Sequence, residues 1–220
     1  MGSANAVLAL ALTALCLWAR TPAPLALGAA GAMGLWVARA GVLSLPNAVT
    51  SARLLMLVCA LLAAWEQPLL IAPFALAAWV LDGLDGWLAR RRGQVTAFGA
   101  LFDQETDAYL VLLLCVELVV ARDVGRWVLI AGALRYLLVL TRSMVTGPLA
   151  ERRSSWGRAS FSFSYLSLVA GLLLDSGLTS TVLLGAAVGV LLFSFAPDFL
   201  AVARALSGEL SAARHTARRP

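Results

Sequence analysis

The 220-residue chain contains no lysine: all 17 of its basic residues are arginine. Any anion binding or ion pairing must therefore use guanidinium groups, which are always charged and match carboxylates and phosphates two bonds at a time. Histidine is nearly absent too. The single one, His215, sits in an Arg-rich tail and excludes His-based metal centres and Ser-His-Asp triads. The three cysteines, Cys16, Cys59 and Cys115, lie in apolar runs with no C-x-x-C spacing, and read as core packing rather than as zinc ligands or a disulfide framework. Charged residues make up only 13% of the chain.

What is abundant is apolar surface: 61% of residues are hydrophobic and the mean hydropathy is +0.87. A soluble domain, a disordered chain and a free-standing nucleic-acid module are excluded as descriptions of the whole, leaving an all-α polytopic membrane protein. The net charge of +5 is explained by cytoplasmic arginines and anionic lipid, with no call for nucleic acid. The start of the chain shows neither the basic n-region of a secretory signal nor a myristoylation pattern, which Ala6 breaks.

Clusters of Pro, Gly and charge cut the chain into apolar segments. Six are expected as the helices of a membrane core, near 47–66, 69–91, 97–121, 126–146, 158–175 and 179–206. Ahead of them, 5–19 and 24–43 flank Arg20-Thr21-Pro22 and are expected to form a helical hairpin, the alternative being one span plus an interfacial helix. The expected organisation is an N-terminal apolar extension (1–43), a six-helix membrane domain (44–206) and a short, frayed basic tail (207–220). Arg90, Arg91 and Arg92, then Arg142, Arg152, Arg153 and Arg158, then Arg204, Arg214, Arg218 and Arg219 fall on one side of six such spans, while Arg122 and Arg126 fall on the other. The rich side is expected to be cytoplasmic.

Acids within apolar helices are costly and mark function. Five of the twelve acids lie between Asp82 and Asp107. Asp82 and Asp85 share one helix face at i, i+3, and Asp103 and Asp107 share one at i, i+4. The connecting loop 91–96 makes the helices antiparallel, with Thr96 as N-cap. At ~1.5 Å per residue, Asp85 and Asp82 lie about 8 and 12 Å, and Asp103 and Asp107 about 10 and 16 Å, below the interface. Four carboxylates converging at one level would repel one another unless cations held them ionised, and oxygen-only ligands suit two Mg²⁺ or Mn²⁺ ions. The competing reading is a proton or cation path, or internal pairing with Arg53 and Arg90.

Read continuously, Asp82-x-x-Asp85-Gly86-x-x-Ala89-Arg90, eight residues, then Gly99-x-x-x-Asp103-x-x-x-Asp107 resembles the signature of the CDP-alcohol phosphatidyltransferase family. Upstream, Pro46-Asn47-Ala48-Val49-Thr50-Ser51-Ala52-Arg53 is similar to the P-N-x-x-T-x-x-R segment of that family. The resemblance implies a six-helix, usually dimeric enzyme of the cell (inner) membrane whose site faces the cytoplasm. It implies that Asp82, Asp85, Asp103 and Asp107 hold two metal ions, with Asp107 also the general base. It further implies that Arg90 contacts the donor diphosphate, that Gly86, Ala89 and Gly99 make room for the nucleotide, and that Asn47, Thr50 and Arg53 belong to the donor site.

The expected reaction is transfer of a phosphatidyl group from CDP-diacylglycerol to a small polar alcohol, phosphorylated or not, with release of CMP. Two alternatives compete with it: a CDP-choline or CDP-ethanolamine type enzyme with diacylglycerol as acceptor, and an intramembrane cation carrier. Relatives with glycerol-based acceptors resemble G-K-x-x-T or G-K-x-K-T after the fourth helix. Here the stretch reads Ser155-Trp156-Gly157-Arg158-Ala159-Ser160, a departure that counts against a glycerophosphate acceptor. Arg142, Arg152, Arg153 and Arg158, with Arg135 inside the fourth helix, are the candidate acceptor-binding residues, and they favour an anionic acceptor. Glu105 and Glu117 fall off the motif face and receive no role.

Overall fold

A computed structural model describes residues 2–40, 44–91, 96–145, 155–175 and 177–217, with side chains 40, 85–90 and 209–217 outside the description. Every long element among these residues is an α-helix. In chain order they are α1 (Gly2–Ala19), α2 (Ala23–Ala40), α3 (Leu45–Ala64), α4 (Pro68–Arg91), α5 (Ala97–Ala121), α6 (Leu129–Arg142), α7 (Ser155–Leu173) and α8 (Leu178–Ala217), with a 3₁₀ turn at Arg126–Val128.

The boundaries have local causes. Ser44 caps α3, accepting from the Asn47 amide at 3.3 Å, and Pro46 occupies the first turn, where no backbone donor is needed. Thr96 caps α5, accepting from the Gly99 amide at 2.9 Å. Between α1 and α2 the chain reverses through Arg20, held at φ 54°. The fourth core helix starts later than its hydropathy implies, because residues 126–128 wind as a 3₁₀ turn. Within the described residues α8 continues past Leu206 to Ala217, into the stretch expected as a tail.

α5 is the axis of the assembly. From Ala108 to Leu118 every residue on it is buried, and α1, α2, α3, α4, α6 and α7 all pack against it. α6 approaches α5 closely at Gly132, where an added Cβ would stand 2.8 Å from the Leu112 Cα. Small residues serve helix contact in this way wherever lipid supplies no hydrophobic drive to hold helices together.

The outer surface is apolar: Trp18, Leu178 and Phe193 are 84%, 81% and 70% exposed. In water such a surface would aggregate, whereas in a bilayer it matches its solvent. Among the described residues, Gly2–Ala19, Leu45–Ala64 and Leu178–Gly208 are long and apolar enough to cross a membrane. α5 differs from these in its charge, since it carries Asp103, Glu105, Asp107 and Glu117. The reading of the cysteines needs one correction: Cys16 and Cys115 are buried, but Cys59 is exposed. An apolar position in a membrane helix faces lipid as readily as it faces the core.

Gly132→Ala is expected to destabilise the protein by about 1–3 kcal/mol, since the clash is with backbone and cannot be relieved by a rotamer change. Gly185, with nothing within 4 Å of an added Cβ, supplies the control. Gly185→Ala should be neutral or stabilising, and thermal unfolding in detergent compares the two.

Candidate active site

α3, α4 and α5 meet where Arg53, Asp82, Asp103 and Asp107 come together. Arg53 is 1% exposed and its side chain is used along its whole edge. Nε donates to the Ala78 carbonyl at 3.1 Å, Nη1 to Asp103 Oδ1 at 2.9 Å, and Nη2 to Asp107 Oδ1 at 2.6 Å. The same Nη2 lies 3.0 Å from Asp82 Oδ1. One guanidinium thus ties three helices together.

The carboxylates of Asp82, Asp103 and Asp107 each offer an oxygen within 4.8 Å of the others. They are 33%, 38% and 21% exposed, so the cluster is open to a ligand although Arg53 is not. One guanidinium against three carboxylates leaves a formal charge of −2 on these four residues. An all-oxygen donor set with surplus negative charge fits a hard divalent cation.

Asp85 lies one turn beyond Asp82 on α4; its side chain, with those of Gly86, Ala89 and Arg90, is outside the described residues. Asn47 and Thr50 are buried on the face of α3 that carries Arg53. Gly99 lets α5 approach Asn47, since a Cβ there would stand 3.2 Å from Asn47 Oδ1.

Beside the carboxylates is a cavity of about 500 Å³ between α5, α6, α7 and α8. Its polar lining includes Gln104, Asp107, Arg135, Arg142 and Asp198, and its apolar lining includes Leu191 and Phe195. Trp156 and Phe193, edge-on at 6.2 Å, also line it and are exposed, so the cavity reaches the apolar exterior of the helices. Of the five candidate acceptor arginines, Arg135 and Arg142 line this cavity. Arg158 is exposed at the start of α7 and is not part of the lining. Arg152 and Arg153 lie outside the described residues. Tyr136, next to Arg135, is buried against Tyr109, with ring centroids 5.9 Å apart.

Sequence reasoning passed over Asp198 and gave Glu105 no role. Asp198 pairs with Arg142 at 2.8 Å, and its signal was available: an acid inside the apolar run of α8 meets the same criterion as the motif acids. Glu105 is 3% exposed and bonded to Asn5 of α1, a contact between residues 100 apart that no local pattern announces. Glu117 is fully buried, and neither of its carboxylate oxygens has a hydrogen-bond partner among the described residues.

The family model for CDP-alcohol phosphatidyltransferase matches residues 43–203. The chain belongs to that family. It is similar to a CDP-diacylglycerol–glycerol-3-phosphate 3-phosphatidyltransferase of Pseudomonas fluorescens, with 31% identity over 121 residues. That match covers 53% of this chain and 59% of the relative, so the chain spans under two thirds of the relative's length. No solved structure matches. The matched region includes α3 to α7 and most of α8, and leaves α1 and α2 outside it.

Arg53→Ala removes the guanidinium that bridges Asp82, Asp103 and Asp107. Because those acids are partly exposed, the loss is expected to be at most about 3 kcal/mol, the low end for a broken buried ion pair. Millimolar Mg²⁺ should restore more stability to the variant than it adds to the wild type. Thermal unfolding with and without Mg²⁺ checks both expectations.

Proposed function

We propose that this protein makes phospholipid by transferring the phosphatidyl group of CDP-diacylglycerol to a small polar alcohol, releasing CMP. The observation that carries this reading is the convergence of Asp82, Asp103 and Asp107, the last of which lines a cavity that also holds Arg135 and Arg142. A nucleotide-linked donor and an anionic acceptor need that combination side by side. Family membership and the name of the Pseudomonas fluorescens relative support the same donor, and that name favours glycerol 3-phosphate as acceptor over the reversed arrangement with diacylglycerol. The two cavity arginines supply the charge for its phosphate, even though Arg158 stands where relatives with such acceptors carry Lys.

In this reading Asp82, Asp85, Asp103 and Asp107 hold two divalent cations, Mg²⁺ or Mn²⁺. The cations supply charge neutralisation at the donor diphosphate and at the departing CMP oxygen. The chain's own residues do the rest. Asn47, Thr50, Gly86, Ala89, Arg90 and Gly99 form the donor cradle, and Arg53 fixes the carboxylates relative to one another. Asp107 lies on the cavity wall and takes the proton from the acceptor hydroxyl. That oxygen then attacks the phosphorus bearing the diacylglyceryl group, the phosphoanhydride bond breaks, and the electron pair leaves with CMP.

The opening past Trp156 and Phe193 lets the acyl chains stay in lipid while the headgroup reacts. The remaining parts of the reading rest on sequence and family. They are a six-span core from α3 to α8, a homodimer, surrounding membrane lipids as partners, and a site facing the cytoplasm of the cell membrane, as the arginine bias indicates.

The test is incubation of the purified chain with CDP-diacylglycerol, Mg²⁺ and a panel of alcohols that includes glycerol 3-phosphate, following CMP and identifying the lipid by mass spectrometry. Wild type should release CMP with glycerol 3-phosphate. Asp107→Asn should lose at least the ~10²- to 10⁴-fold typical of general-base catalysis while still binding the donor. Near wild-type turnover in the variant would remove Asp107 from the mechanism, and no CMP with any alcohol would remove the function.

A further inference from the structure

The α1–α2 hairpin lies outside the matched family region, yet it reaches a residue of the cavity through side chains. Asn5, in an otherwise apolar stretch of α1, is 7% exposed. A buried amide is costly unless both its ends are bonded. Here both are: Nδ2 donates to Glu105 Oε2 at 2.5 Å, and Oδ1 accepts from the Tyr109 hydroxyl at 2.6 Å. The other oxygen of Glu105, Oε1, lies 3.6 Å from Nη2 of Arg135. That Nη2 also donates to Gln104 Oε1 at 3.0 Å.

One terminal nitrogen of the Arg135 guanidinium, Nη2, is thus braced by α5, and α5 is braced in turn by α1. Arg135 and Gln104 line the cavity that Asp107 lines, and the buried Nε of Arg135 has no hydrogen-bond partner among the described residues. A guanidinium carries five donors in a rigid fork, so holding Nη2 restricts where the remainder can point. Packing alone would not call for Asn5, because Ala6, Ala9 and Cys16 already give α1 a fully buried apolar contact.

We propose that the N-terminal hairpin is part of the acceptor site: Asn5 is a positioning residue that holds Glu105 against Arg135 and so presents Arg135 to the phosphate of an anionic acceptor. This rests on the functional reading above for the identity of the acceptor, but not for the anion-binding role of Arg135.

Two measurements on the full chain in detergent test it. In steady-state kinetics with CDP-diacylglycerol and glycerol 3-phosphate, Asn5→Leu, similar in size but without the amide, should raise the acceptor KM about tenfold. That is the loss expected when a charged hydrogen-bonding group is misplaced rather than removed. The donor KM should stay within about twofold. In an Arg135→Ala background the same change should add nothing. In the second measurement, inorganic phosphate at constant ionic strength should raise the wild-type Tm, less so for Asn5→Leu, and not at all for Arg135→Ala.

If Asn5→Leu does not fold, Glu105→Gln replaces it. That variant keeps an acceptor for the Asn5 amide and removes the charge facing Arg135, and it should show the same selective rise in acceptor KM. Equal effects of Asn5→Leu with and without Arg135, or an undiminished phosphate response, would overturn the proposal and leave the hairpin a packing element. If wild type turns over no alcohol, the functional reading fails, and the phosphate response still decides the role of Asn5.

Discussion

The structure depends on a charge imbalance. Three carboxylates from two helices are gathered around one buried guanidinium from a third, and four hydrogen-bonding or ionic contacts of Arg53 hold α3, α4 and α5 in register. Burying Arg53 without those partners would be prohibitive, and gathering the acids without a cation would be equally so. Each side makes the other tolerable. The surplus negative charge is then available for ligands, which is why a structural ion-pair network and a cation site can be the same group of atoms.

The polar residues of the helix bundle are organised outward from that point. Asp107 belongs both to the carboxylate cluster and to the cavity wall. The cavity carries basic groups at Arg135 and Arg142, balanced by Glu105 and Asp198. Acid and base therefore alternate across a short distance: carboxylates where a diphosphate with its cations would sit, guanidinium groups where a second anion would sit. On the proposed function, the apolar opening beside Trp156 and Phe193 would give an amphiphilic substrate a route that keeps its chains out of water.

Much of this was legible in the sequence because it is written in local spacing. The i, i+4 pair Asp103 and Asp107, the Thr96 cap and the breaks at Pro and charge each depend on residues within one or two turns, and the helices begin and end close to where those signals fall. Arg53 was legible as a member of the site but not as its centre, because spacing along α3 says nothing about which helices lie across from it. Asp198 could be picked out as an acid inside an apolar run, but its pairing with Arg142, like that of Asn5 with Glu105, was illegible for the same reason, the partners being 56 and 100 residues apart. The exposure of Cys59 was misread because hydropathy does not separate a lipid-facing position from a core-facing one.

The central claim is that the acids of α4 and α5 bind divalent cations at the place where a CDP-linked donor is received. Mn²⁺ titration of the purified chain, followed by the loss of the free-ion electron paramagnetic resonance signal, tests it most directly. The account predicts saturable Mn²⁺ binding that Mg²⁺ displaces, that CDP-diacylglycerol tightens, and that Asp82→Asn or Asp103→Asn weakens severely. Mn²⁺ binding unchanged in those variants, or indifferent to the donor, would contradict it.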